Sequence, residues 1–160
     1  MKNLFLEQGE KALKESKWKE AQAFLEKAKQ ENESAEVCEA LAKACWWLNN
    51  VPLVFENRTK AYQLYLESSD NLGASRNACW LGADHLEFRN EFAIANGWFQ
   101  RAESLVKGLE NTPEYVLITL LKARIAFFVD KNYKKALELT ERSLQLSRSL
   151  NDSGAPTLLG

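Results

Sequence analysis

This sequence is poor in the residues that most protein chemistry needs. Among its 160 residues are one His, three Cys, one Met, three Pro and seven Gly. One His and three Cys cannot furnish a paired zinc-finger set or a His-rich metal cage. The odd cysteine count argues against a disulfide scaffold. The glycines stand singly, so no glycine-rich phosphate loop is present. Charge of one sign is also lacking, because 21 basic residues face 22 acidic ones. A net charge of −1 gives no global attraction to nucleic acid or to an anionic membrane surface. Long apolar runs are missing: stretches such as Ile125–Val129 are far too short to cross a bilayer. The opening MKNLFLEQGEKALKES is charged every few residues and reads neither as a signal peptide nor as a membrane span. These shortages predict a cytoplasmic, non-catalytic domain that needs no cofactor or metal and touches neither membrane nor nucleic acid directly.

What the chain has in plenty is helix-forming material. Ala, Leu, Glu and Lys make up nearly half of it, and these lose little side-chain freedom in a helix. Val, Ile and Thr are too few for a sheet protein of this length. The expectation is an all-α fold with helices near 2–15, 18–31, 34–48, 51–69, 72–89, 92–109, 113–130 and 133–150. Pro52 falls in a first helical turn, and Thr112 before Pro113-Glu114 reads as an N-cap followed by proline at the first helical position.

A repeat organises these helices. Four segments carry a large or apolar residue followed by positions three, seven and ten later. They are Trp18, Ala21, Leu25 and Ala28; Val51, Val54, Arg58 and Ala61; Phe92, Ala95, Phe99 and Ala102; and Tyr133, Ala136, Thr140 and Ser143. From one segment to the next, the first step is the shortest and the other two are equal. Small residues at this stagger form a groove along a helix that a partner helix can enter closely. The reading is one domain over 1–151 made of four helix pairs, at about 2–33, 34–70, 72–110 and 113–151. Stacked pairs build a right-handed superhelix. Residues 152–160 form a tail, in which Thr157–Gly160 reads as the start of a further helix.

This pattern resembles the tetratricopeptide repeat family. Gly9, Trp18, Ala21, Leu25 and Ala28 match the family's spacing in the first unit, and Phe92, Ala95, Phe99 and Ala102 in the third. The second unit departs at Val54 and Arg58, and the fourth at Thr140 and Ser143. The resemblance implies a superhelical groove that binds proteins or peptides. The subtype that clamps a chaperone's terminal carboxylates is not expected, since its positions hold Leu6, Glu10, Ala40 and Leu81 here. Separately, the run CWLGADHLEFRNEFAIANGWFQRAESLVKGL at 79–109 is similar to the helical repeat region of LuxR-type bacterial transcriptional regulators. That similarity implies a sensor or scaffold region whose DNA-binding part would lie elsewhere.

The repeat frame sets Lys43, Trp46, Trp47, Asn77, Trp80, Asp84 and Glu87 on the concave side. Tryptophan surfaces beside charged and amide groups suit an extended or helical peptide. The alternative is that the tryptophans fill gaps between the longer repeats. Cys38, Cys45 and Cys79 fall at packing positions, and His85 is left as a polar recognition group. The function expected is a protein or peptide interaction module. Its competitor is a self-associating domain or stand-alone adaptor, dimerising through Leu144–Leu150 and Leu158–Leu159.

Overall fold

The computed structural model describes residues 3–152, and among these it is all-α. Its helices are α1 (Leu4–Lys14), α2 (Trp18–Glu31), α3 (Ala35–Trp47), α4 (Val51–Glu67), α5 (Asn71–Arg89), α6 (Phe92–Leu105), α7 (Pro113–Phe128) and α8 (Tyr133–Asp152). None of them is long and apolar enough to cross a membrane. The expected helix start at Thr157–Gly160 lies outside the described residues.

Two different devices start the helices. The odd-numbered ones begin on capping side chains. Asn3 Oδ1 accepts from the Phe5 and Leu6 N–H groups, Ser34 Oγ from Val37, Asp70 Oδ1 from Gly73 and Thr112 Oγ1 from Tyr115. Each satisfies N–H groups that a helix leaves open in its first turn. By contrast α2, α4 and α6 start with no side-chain cap, directly after a tight turn. The turn residues Ser16, Asn49, Asn90 and Lys131 all have φ between 53° and 59°, in the left-handed region. Each stands two positions before the first member of a repeat segment, so the turns recur with the same steps as the repeat. After each, a backbone N–H returns to the preceding helix, as Asn50 does to the Cys45 carbonyl at 2.9 Å. That bond closes the helix end as a left-handed cap does. Ser69 makes the same turn between α4 and α5. Helix α6 ends at Leu105, short of the expected 109, because the buried Val106 plugs the core and Gly108 turns the chain at φ +83°.

Helices adjacent in sequence pack on one another along the whole chain, and the remaining contacts reach two helices along, as from α5 to α7. The predicted small residues are interior: Ala21, Ala28, Ala61, Ala95 and Ala102 are fully buried. Close approach explains two glycines. A Cβ on Gly9 would stand 2.5 Å from Leu25, and one on Gly82 would stand 2.7 Å from Phe99. Leu25 and Phe99 thus press directly onto the backbone of the preceding helix. At the fourth segment the pattern weakens: Ala136 and Ser143 are buried, but Tyr133 and Thr140 are exposed. Cys38, Cys45 and Cys79 are buried free thiols, as their register predicts.

Candidate partner-binding face

Ion pairs tie α3, α5 and α7 side by side. Arg76 on α5 donates through Nε and, at 2.9 Å, through Nη2 to the Glu39 carboxylate on α3. Its Nη1 donates to Glu114 on α7 at 2.9 Å. Tyr65 on α4 adds a hydrogen bond to Glu39 at 2.7 Å. Burial by itself would raise the Glu39 carboxyl, but Arg76 outweighs it and holds the group below the usual carboxylate range. Further along, Arg124 Nη2 on α7 donates to Glu87 on α5 at 2.6 Å. This second pair is half exposed, so it orients the two helices more than it stabilises them.

Five of the seven expected site residues are exposed or half-buried. Lys43 and Glu87 are exposed. Trp80 is 36% exposed, with the Arg58 guanidinium 5.5 Å from its ring centre. Trp47 is 52% exposed and stacks flat on Trp18, with centroids 4.8 Å apart and planes within 8°. Trp46 is half-buried, edge-on to Trp47 at 5.1 Å and to Phe88 at 6.2 Å. The adjacent tryptophans therefore divide their work: one presents a ring, the other fills the junction of α3 and α5.

The other two residues are interior, which corrects their expected place on an open groove. Asn77 is fully buried and donates to the Gly73 carbonyl at 2.9 Å, while its Oδ1 has no partner among the described residues. Asp84 is 1% exposed and accepts from Arg58 Nε at 2.6 Å. Burial raises the Asp84 carboxyl above its usual range, against the pull of Arg58. Both residues sit in the register of Val37 and Ala44 on α3, which are buried. That register points at the preceding helix pair, not at the groove. His85 is corrected in the same way. It is 9% exposed, its Nδ1 lies 2.6 Å from Glu91 Oε2, and its ring packs edge-on against Phe55 at 4.8 Å.

The residues that brace the face carry no sequence motif. Arg76, Glu39 and Glu114 are charged residues half-hidden between helices, and composition alone does not distinguish them from solvated ones. Arg58 does carry a signal: it stands where Leu25 and Phe99 stand in their segments, so a charge at that depth requires a counter-charge on the next helix. Leu120, 49% exposed on α7, adds an apolar surface to the same side.

Among the described residues no group of His, Cys, Asp and Glu is arranged to hold a metal ion. Burial alone pushes the Cys79 thiol up. Two shallow open clefts occur elsewhere: one of about 250 Å³ lined by Leu86, Phe92, Ile125 and Val129, and one of about 470 Å³ beside Lys29, Phe55 and Lys60. Compared with protein-family models, with characterised proteins and with solved structures, the chain gives no match.

Proposed function

We propose that this chain is a non-catalytic interaction module that binds a protein or peptide along the α3–α5–α7 face. In this reading it forms a tetratricopeptide-like right-handed superhelix of four helix pairs over residues 1–151. Support comes from the left-handed turns that recur at Ser16, Asn49, Asn90 and Lys131, and from Gly9 and Gly82 lying under Leu25 and Phe99. The observation that carries the binding function is the exposure of Trp47 and Trp80, with Lys43, Glu87 and Leu120, on a face braced by Arg76 and Arg124. Rigid aromatic surfaces flanked by charge lose little entropy on binding and suit a peptide with apolar side chains and a few charges.

On the strength of the 79–109 run, the module in this proposal is the sensor or scaffold region of a LuxR-like bacterial transcriptional regulator working in the cytoplasm. DNA contact is then made by another part of the regulator. Panning the purified chain against a displayed random-peptide library tests the groove. Enriched peptides should change tryptophan fluorescence and lose most of their affinity on Trp47→Ala or Trp80→Ala. Peptides that bind both variants as they bind the parent would defeat the reading. A second reading, self-association, is favoured by one observation, the exposed apolar strip of α8.

A further inference from the structure

Arg76 and Arg58 are satisfied to different degrees. Arg76 uses all its nitrogens: Nε and Nη2 donate to Glu39, and Nη1 donates to Glu114. A guanidinium carries five N–H donors. Arg58 commits one of them, from Nε to Asp84 Oδ2 at 2.6 Å, while its Nη1 and Nη2 have no partner among the described residues. On the other side of the pair, Asp84 Oδ1 is buried and likewise has no hydrogen-bond partner among them. The contact is thus a single bond, not the two-point fork that an arginine and a carboxylate can make.

The unused donors touch solvent. Arg58 is 5% exposed, and the buried side-chain atoms that lack a partner are Asn77 Oδ1 and Asp84 Oδ1, with no nitrogen of Arg58 among them. The surface left to Arg58 therefore includes its Nη atoms. They open beside Trp80, whose partly exposed ring has its centre 5.5 Å from the guanidinium carbon. Packing does not call for this arrangement. The same two registers hold Leu25 and Ala44 one interface earlier, and a buried ion pair is often no more stable than the apolar groups that replace it. Nor does charge call for a further acid. Asp84, Glu39 and Glu114 already answer Arg58 and Arg76, and Glu39 also feels the Arg58 charge. With Lys43 added, one turn from Glu39 on α3, the bases only equal the acids. A carboxylate brought to Arg58 would meet Asp84 and Glu39 with no positive charge to spare. An uncharged acceptor meets no such opposition.

We propose that Nη1 and Nη2 of Arg58 form a subsite for an uncharged carbonyl oxygen of a bound peptide, with the Trp80 ring as its wall. The subsite rests on the peptide-groove reading given above and specifies one group in the ligand. A main-chain carbonyl or the amide of an Asn or Gln side chain supplies such an oxygen, with two lone pairs for the two Nη groups. Because the donor is charged, the bond is stronger than one between neutral groups. Asp84 is then a positioning residue. Its bond to Nε fixes the plane of the guanidinium and balances its charge, so that the Nη atoms take an acceptor without taking an anion. An Asp or Glu at this place in the peptide is rejected.

The peptides that panning enriches test the subsite on the full chain, with urea unfolding checking that each variant is folded. Arg58→Leu with Asp84→Ala replaces the pair by apolar groups and leaves Trp80 in place. Arg58→Lys keeps a charge for Asp84 but gives up the Nη fork. Each should weaken an enriched peptide by about 10- to 100-fold. The peptide is then altered one group at a time. Each main-chain carbonyl becomes a thiocarbonyl, a poorer acceptor, and each Asn or Gln becomes Ala. Each Asp, Glu and free C-terminus becomes an amide. One carbonyl should emerge whose alteration costs affinity for the parent and nothing for the Arg58→Leu/Asp84→Ala chain. A thiocarbonyl with that behaviour identifies the main chain as the source, an Asn or Gln a side chain. Coupling to a carboxylate instead overturns the uncharged acceptor. Variants that bind as tightly as the parent overturn the subsite, and a loss on Trp80→Ala then still upholds the groove. If Trp47→Ala and Trp80→Ala are also without effect, or panning enriches nothing, groove and subsite fall together.

Discussion

Arg58 on α4 donates through Nε to Asp84 on α5 at 2.6 Å, with the two residues only 5% and 1% exposed. One helix interface earlier, the same two registers hold Leu25 and Ala44, both fully buried. The fold thus accepts either an apolar pair or an ion pair at this depth. Removing one partner of a buried pair strands the other charge, whereas replacing both by packed apolar groups is often neutral or stabilising. Asp84→Ala should destabilise the chain by about 3–5 kcal/mol. Arg58→Leu combined with Asp84→Ala should recover most of that loss. Urea unfolding of the two singles and the double closes the cycle. A double variant as unstable as the summed singles would mean that the ion pair is not an independent unit.

The second buried carboxylate behaves oppositely. Burial works against the Glu39 charge, but Arg76 overcomes it and lowers the group below the ordinary carboxylate range. Its unfolded form therefore binds a proton more readily than its folded form. The stability it contributes is present above the ordinary Glu range and is lost as pH falls through the lowered value. Asp84 is raised, so its contribution is fully present below the ordinary Asp range and is lost as pH rises through the raised value. Glu39→Gln should lower stability at neutral pH and make the loss on acidification shallower. Thermal melts from neutral to acid pH measure this. An unchanged acid slope would remove Glu39 from the account.

The helices are legible because the stagger of Ala21, Leu25 and Ala28, and of Ala95, Phe99 and Ala102, is a packing requirement written in residue size. Caps such as Thr112 and turns such as Asn49 and Asn90 are legible for the same local reason. Asn77 and Asp84 defeat the expectation because a polar side chain need not lie at the surface. Their register, shared with Val37 and Ala44, points inward, and Arg58 supplies the reason that a carboxylate can follow. The Glu39–Arg76–Glu114 bridge is not legible, since it joins residues 37 and 38 positions apart through side-chain reach that no short spacing encodes. Trp47 and Trp80 are placed on the surface by the repeat frame, and both carry exposed ring.

The cysteines follow from the same packing. Burial pushes the Cys38 and Cys45 thiols up to about 11, and Cys79 higher still. The thiolate is the reactive species, so a buried, protonated thiol is slow to react. A disulfide-exchange reagent at neutral pH should find no fast-reacting thiol in the folded chain and three in urea. A fast thiol in the folded state would show that one of these interfaces opens readily.

Two glycines make the sharpest test of packing, because local propensity predicts the same result for both. In a helix interior, Gly to Ala normally stabilises by about 0.5–1 kcal/mol. Gly97 on α6 is exposed, and a Cβ there meets nothing within 4 Å. Gly97→Ala should therefore show the full gain. Gly82 on α5 is buried, and its Cβ would stand 2.7 Å from Phe99 and 3.0 Å from the Ala95 carbonyl. Phe99 is itself enclosed, so α5 and α6 must part to make room, at a cost of about 1–3 kcal/mol. Gly82→Ala should destabilise despite its better helix propensity. Adding Phe99→Leu should return part of the loss, because the shorter side chain vacates the space the methyl group enters. Chemical unfolding of the three variants decides it: if Gly82→Ala stabilises as Gly97→Ala does, the close approach of α5 and α6 is not what glycine serves there.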